Sequence, residues 1–251
     1  MKEKIDKIWA FALDLIFPPV CLACRKKLTG NLPQTATAEK NCFPFLCLAC
    51  SQKIQLNNTA FCPVCSRRLP ENKKTCHQDS LFILAAAGFY GDKALDELIA
   101  LLKYQKIKQA AVPLGGILTA YLKELFKNYG LKTENFLIIP IPLHWQKENK
   151  RGFNQSCLLA EQLAKNTGLE VNKNILKRIK NTASQVELKD KEKRAENVIN
   201  CFAIENPKLL SGKNIIILDD VFTTGATMKE AARILKNSGA RKIIGLVVAK
   251  T

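Results

Sequence analysis

The sequence predicts an α/β protein with a doubly wound, mostly parallel sheet, preceded by a small zinc-ribbon module. Two observations carry this. The C-terminal stretch reads strand, helix, strand, with apolar Asn214–Leu218 and Lys242–Ala249 flanking an amphipathic segment from Met228 to Ser238 that Gly239 ends. Such a closing βαβ unit implies parallel strands covered on both faces. In the first third, Cys21/Cys24, Cys47/Cys50 and Cys62/Cys65 form Cys-x-x-Cys pairs, the spacing of metal ligands.

Composition bounds the function without naming it. At 47% hydrophobic and 24% charged over 251 residues the chain is globular, with room for one α/β domain and an appendage. The balance of 39 Lys+Arg against 22 Asp+Glu gives +17, which favours polyanionic partners such as nucleic acid, phosphosugars or an acidic membrane face. A solvated lysine-rich surface is the other reading. The apolar run from Ile8 to Phe17 is interrupted by Asp14 and followed by Pro18-Pro19, so it fits neither an export signal nor a membrane span. A cytoplasmic location is expected, where cysteines stay thiols or metal ligands.

In chain order, residues 1–19 hold an amphipathic helix over 2–17, with Ile5, Ile8, Trp9, Ala12, Leu13 and Ile16 on one face. Residues 20–79 lack periodicity and alternate prolines, cysteines and lysines, as a segment organised by metal would. The polar stretch 29–41 is a loop. The third segment, 80–251, opens with a strand over 81–90, a helix over 92–102 and a further helix over 110–128. Phe136–Ile139 is a buried strand ended by Pro140-Ile141-Pro142. A helix over 154–165 has Asn154 as its N-cap. Short strands near 175–179 and through Phe202 bracket a charged stretch to about Asn197.

The segment from Ile215 to Thr227 carries the chemistry. Four apolar residues, Ile215-Ile216-Ile217-Leu218, form a buried strand, and Asp219-Asp220 stand at its carboxyl end, where ligands bind in such sheets. Thr223-Thr224-Gly225-Ala226-Thr227 then opens a helix whose first N–H groups and dipole suit an anion. Gly225 permits close approach, and the threonine hydroxyls add donors. Two carboxylates beside a phosphate site make sense if ribose hydroxyls or a hydrated Mg2+ lie between them. Charge-assisted hydrogen bonds contribute about 1.5–3 kcal/mol each, so three or four approach the ~8 kcal/mol of micromolar binding. The sequence has neither a Gly-x-x-x-x-Gly-Lys-Ser/Thr loop nor a Gly-x-Gly-x-x-Gly after an early strand, which leaves nucleotide triphosphatase and dinucleotide readings unsupported.

The same segment resembles the phosphoribosyl pyrophosphate (PRPP) signature of type I phosphoribosyltransferases. Leu102-Lys103-Tyr104, Pro140-Ile141-Pro142-Leu143-His144, Arg151-Gly152-Phe153-Asn154-Gln155, then Arg178, Thr182, Gln185, Leu188, Arg194, Asn197 and Phe202 are similar to the ComF competence-protein family. With the cysteines, the resemblance covers nearly the whole chain. It implies that Asp219 and Asp220 are the catalytic acids and that residues 223–227 hold the sugar phosphate. It further implies a pyrophosphate-side turn over 140–144 and a cover loop within 180–197. Lys103, Tyr104, Pro142, Arg151, Asn154, Gln155, Arg178, Gln185 and Arg194 would touch substrate. The arginines suit this chemically as forked phosphate donors, and Asn154 and Gln155 could meet sugar or base. No dedicated general base is visible, and His144 reads as a turn residue.

Cys21, Cys24, Cys47 and Cys50 supply four thiolates for one tetrahedral zinc. Cys62, Cys65 and Cys76 begin a second ribbon. Where the family pattern expects a fourth cysteine this chain has Asp79, with His77 nearby, so Cys3Asp, Cys3His and an empty ribbon all stand open. Cys42 reads as a free thiol, and Cys157 and Cys201 as buried hydrophobes. Arg25, Lys26, Lys27, Arg67, Arg68, Lys73 and Lys74, with Phe43, Phe45 and Phe61 as stacking faces, suit single-stranded nucleic acid; the alternative is that the aromatics pack a small metal-organised core. The resemblance implies handling of single-stranded DNA in natural transformation, with competence proteins such as a helicase as partners. The alternatives are a metabolic phosphoribosyltransferase and a PRPP-sensing regulator without turnover.

Overall fold

The computed structural model describes residues 19–28, 42–70, 76–77, 79–132, 134, 136–180 and 199–251. The helix expected over 2–17, the loop over 29–41, Lys73 and Lys74 lie outside them, as does most of the cover-loop segment, with Thr182, Gln185, Leu188, Arg194 and Asn197.

The sheet is fully parallel. Five strands, β1 (Ile83–Phe89), β2 (Phe136–Pro140), β3 (Glu170–Val171), β6 (Asn214–Phe222) and β7 (Lys242–Lys250), stand in the order β1-β7-β6-β2-β3. Alternation sends each strand's residues to two cores. Ile138, Ile216, Leu218, Ile244 and Leu246 face α2 (Lys93–Lys103), α3 (Ala111–Asn128) and α5 (Gln155–Thr167). Leu137, Ile139, Ile215, Ile217 and Val247 face α6 (Ala226–Asn237) and a small antiparallel pair, β4 (Leu176–Arg178) with β5 (Phe202–Ile204). Strands clothed on both sides explain the unbroken apolar runs.

The structure corrects several boundaries. β6 continues through both acids to Phe222, because β7 keeps pairing beside it, Asp219 with Val247 and Phe222 with Lys250. Carboxylates read as a strand end by propensity, and the central position overrides that. Pro140 belongs to β2. Its neighbour Ile141 donates N–H to Leu218 of β6, so Pro140 faces the β3 side, where the two-residue β3 has already run out and no donor is needed. A short helix, α4 (Trp145–Arg151), has no counterpart in the sequence reading because none of its residues is buried and no apolar period marks it. His144 caps it, Nδ1 accepting from Gln146 N.

The cysteine-rich segment is stitched to the sheet. Two knuckles repeat the same backbone pattern: Cys21 N donates to Lys26 O and Arg25 N to Cys21 O, while Cys62 N donates to Arg67 O and Ser66 N to Cys62 O. Arg25 and Ser66 both adopt positive φ, 62° and 60°, as the tight turn after each pair requires. Between the knuckles lies the helix α1 (Leu48–Lys53). Phe61 exchanges both backbone hydrogen bonds with Leu84 (2.7 and 2.9 Å), and Asn57 N and Nδ2 donate to Ala87 O and Ala86 O, so residues 57–61 cover the outer edge of β1. Cys21, Phe43, Leu46 and Ile54 share one buried core with α2 and α3. Among the described residues no helix is long and apolar enough to cross a membrane.

Two tyrosines of α3 and its cap tie this segment down. Tyr129 OH donates to Leu69 O (2.7 Å) and accepts from Ala60 N (3.2 Å), and Tyr121 OH donates to Thr59 O (2.8 Å). Tyr129→Phe leaves the buried Ala60 N–H without its partner, a loss of about 1–3 kcal/mol. For a chain of this size that lowers Tm by roughly 2–4 °C per kcal/mol, read by thermal melting beside an exposed control, Tyr104→Phe, which stays at the parent value.

Candidate functional site

The carboxyl end of the sheet opens into a cavity of about 710 Å³. Its floor is the tip of β6, with Asp219, Asp220 and Val221, and one wall is the turn into α6, with Thr223, Gly225 and Thr227. Lys103 and Tyr104 come from the end of α2, Leu143, Lys147 and Arg151 from around α4, Gln155 from the start of α5, and Arg178 from β4. Residues far apart in sequence thus converge because every parallel strand delivers its loop to the same rim.

The acids are held differently. Asp219 Oδ1 accepts from Ser156 Oγ and from Asp220 N, both at 2.9 Å. Asp220 Oδ1 accepts from Val221 N (2.7 Å), and the Lys103 ammonium sits 3.0 Å from each Asp220 oxygen. Only Oδ1 receives it with hydrogen-bond geometry; buried Oδ2 has no hydrogen-bond partner despite the close charge. Burial and the neighbouring Asp220 charge push Asp219 up to about 6, against the opposing pull of Lys103. Burial works against the Lys103 charge, yet Asp220 and then Asp219 outweigh it, so its pKa rises and it stays protonated. Burial lowers that of Arg178, still far above neutrality.

Gly225 forms the N-cap of α6 at φ 73°, and a Cβ there would lie 2.3 Å from the Phe222 ring, so the turn admits glycine alone. No side chain of Gly225 covers the positive end of the helix. Thr224 Oγ1 instead accepts from Ala226 N (3.4 Å), so Thr224 shapes the turn, and Ala226 lines a separate cavity on the other side of α6. Asn154 is buried and committed within the fold: Oδ1 accepts from Ser156 N and Nδ2 donates to Ile141 O. It orients Ser156 and the turn rather than facing the cavity. Pro142 is not among the lining residues; its neighbours Ile141 and Leu143 are. Arg151 donates to Gln155.

Sequence reasoning missed Ser156, one residue beyond Asn154-Gln155, though a hydroxyl beside two polar motif residues was the available signal. It also missed Tyr90, Asp96 and Lys147, which only the packing brings to the cavity.

The two cysteine clusters fit metal. Ligand atoms of Cys21, Cys24, Cys47 and Cys50 all lie within 4.8 Å of one another. Tetrahedral zinc with sulfur at about 2.3 Å requires sulfurs about 3.8 Å apart, and Cys24 Sγ to Cys47 Sγ is 3.7 Å. The second cluster joins Cys62, Cys65, Cys76 and His77. His77, not Asp79, takes the fourth place, with Nδ1 3.4 Å from both Cys62 Sγ and Cys76 Sγ. The chain turns immediately afterwards, Ser80 N donating to His77 O, which carries Asp79 into the cavity of about 340 Å³ behind α6. Phe43 and Phe61 are buried, and of the three suggested stacking faces only Phe45 is exposed. Cys201 is buried, whereas Cys157 is half-buried and pushed up to about 11 by its apolar surroundings.

Residues 154–251 match the phosphoribosyl transferase domain. The DNA utilization protein YhgH of Shigella flexneri is 30% identical over 210 residues, covering 76% of this chain and 90% of that protein. The chain belongs to the ComF family. Other relatives are Competence protein F of Haemophilus influenzae, 28% identical over 195 residues (75% of this chain, 84% of that protein), and Competence protein ComFC of Bacillus subtilis, 28% identical over 251 residues (93% and 85%). The match to ComFC extends over the cysteine-rich segment, so in this ComF-family chain the cysteine clusters and the phosphoribosyltransferase domain belong to one architecture.

The Asp219 proton has a measurable sign. Its folded pKa of about 6 lies above the unfolded value near 3.8, so the Asp219 contribution to native stability falls as pH rises from about 4 to about 6 and is flat beyond. Two pKa units correspond to about 3 kcal/mol. Asp219→Asn removes that term: its Tm exceeds the parent's at pH 7.5, and the difference vanishes near pH 4. Paired melts across that range check it.

Proposed function

We propose that this protein binds PRPP together with Mg2+ at the tip of β6 and handles single-stranded DNA during natural transformation, acting in the cytoplasm beside competence proteins such as a helicase. One observation carries the ligand: two carboxylates near the end of β6 and the glycine-capped N-terminus of α6, joined by the turn Thr223-Thr224-Gly225, face one cavity whose other walls bring Lys103, Arg151 and Arg178. Anion-seeking and hydroxyl-seeking groups alternate there as a phosphorylated sugar requires. The first turn of α6, with the Thr223 and Thr227 hydroxyls, would receive the 5′-phosphate. Asp219 and Asp220 would accept from the ribose hydroxyls. Lys103, Arg151 and Arg178 would lie beside the pyrophosphate.

Asp220 Oδ2, ion-paired with Lys103 but without a hydrogen bond, suits a cation or a hydroxyl donor, so Asp219 and Asp220 are the residues that would hold Mg2+, which supplies charge neutralisation to pyrophosphate. Ser156 keeps Asp219 oriented, and the Lys103 ammonium is paired with Asp220. The DNA part rests on the competence and DNA-utilization names of the relatives together with the +17 charge. In the cysteine clusters zinc is the fitting ion, four thiolates in the first and three with one imidazole in the second.

A second reading, transfer of the phosphoribosyl group to an acceptor, is favoured by the size of the cavity, about 710 Å³, which leaves space beside a phosphosugar. Pyrophosphate release with an acceptor panel distinguishes it from binding without turnover.

Calorimetric titration of the parent with PRPP and Mg2+ yields saturable binding that weakens as pH falls through about 6, where Asp219 takes up its proton. Asp219→Asn with Asp220→Asn abolishes it. Heat that is the same at pH 5 and pH 8, or undiminished in the double variant, removes the reading. Metal analysis finds two zinc ions per chain, and Cys62→Ser with His77→Ala leaves one.

A further inference from the structure

We infer that single-stranded DNA runs across the mouth of the phosphosugar cavity, with bases stacked on Tyr90 and Tyr104 and phosphates along Lys106, Lys147 and Lys150. This rests on the DNA-handling part of the proposed function and places it on the molecule. The sequence pointed to the cysteine-rich segment for stacking, but Phe43 and Phe61 are buried there and Arg25 is paired with Glu97 at 3.0 Å. The large wet rings lie elsewhere. Tyr104, one residue past α2, is 66% exposed, and Tyr90, one residue past β1, is 54% exposed, yet both line the cavity. Rings that form a cavity wall and still stand in water offer a face to a flat ligand.

The charge beside them matches a strand of phosphates. Lys147 and Arg151, one helical turn apart on α4, line the same cavity. Lys150 lies on the same short helix, and its carbonyl accepts from Lys106 Nζ (2.9 Å), which ties the loop after Tyr104 to α4. Three cations against the single acid Glu148 make α4 basic, and its lack of buried residues leaves that charge at the surface. Aromatic faces beside a basic track bind single strands without regard to sequence, since every base has a π-face and every link a phosphate. Duplex DNA keeps its bases stacked on one another and gives the two tyrosines nothing to hold.

The test is fluorescence anisotropy with labelled oligothymidine on the full chain, for the parent and for Tyr90→Ala, Tyr104→Ala, the double variant, Tyr104→Trp and Phe45→Ala. Each tyrosine-to-alanine change weakens binding by about 5- to 100-fold, within the range for losing one base stack. Tyr104→Trp retains affinity, and Phe45→Ala on the cysteine-rich segment binds as the parent does. An abasic oligonucleotide of equal length, used on the unaltered parent, binds as weakly as oligothymidine binds the double variant, which separates stacking from misfolding. The inference is overturned if the tyrosine variants bind like the parent, if the loss follows Phe45→Ala, if the abasic strand binds equally well, or if the parent binds no single strand. Titration of the same parent with PRPP and Mg2+ is read independently, so a failed DNA site leaves the phosphosugar reading standing and the reverse.

Discussion

Two adjacent carboxylates on the tip of a central strand are a charged defect in an otherwise apolar sheet, and the rest of the site is arranged to tolerate them. Asp219 and Asp220 repel each other where water is scarce, and each is steadied by a different helix: Ser156 of α5 donates to one, Lys103 of α2 to the other. Burial and the Asp220 charge raise the Asp219 pKa to about 6. The strand cannot shed these groups, because β7 pairs with it past both of them. The energy spent on keeping the acids there is typical of functional positions, where local preference yields to the site.

Covering the edge strand is the second constraint. β1 lies outermost in a parallel sheet whose strands need protection on every open side. Residues 57–61 provide it, and they are positioned by a knuckle that begins one residue later at Cys62. Tyr129 and Tyr121 fix the same stretch from α3. The cysteine cluster therefore sits in a segment that is already part of the core, and two of the aromatic rings suggested as nucleic-acid contacts, Phe43 and Phe61, are used in packing.

Much of this was legible in the residues. The apolar run Ile215–Leu218 with the acids and the glycine-threonine turn gave strand, site and helix, since burial on both faces and helix-end chemistry leave direct marks. The cysteine spacing named both clusters. What stayed hidden depends on partners remote in sequence. The continuation of β6 through Asp219 follows from its neighbour β7; α4 carries no apolar period; Tyr90 and Lys147 enter the cavity, and Ser156 reaches Asp219, only once the helices pack. The fourth ligand of the second cluster turned on where a tight turn releases the chain, which no spacing rule records: His77 precedes the turn and Asp79 follows it.

The two knuckles match position for position at a constant offset, with Val20 against Lys27 answered by Phe61 against Arg68. Among the described residues only the second copy is stitched to the sheet, through Phe61 and Leu84. Residues 57–61 of that copy therefore do more than hold a surface module: they keep a row of β1 backbone donors and acceptors out of reach of strand addition, so a change that undid this copy's fold would open the edge to self-association.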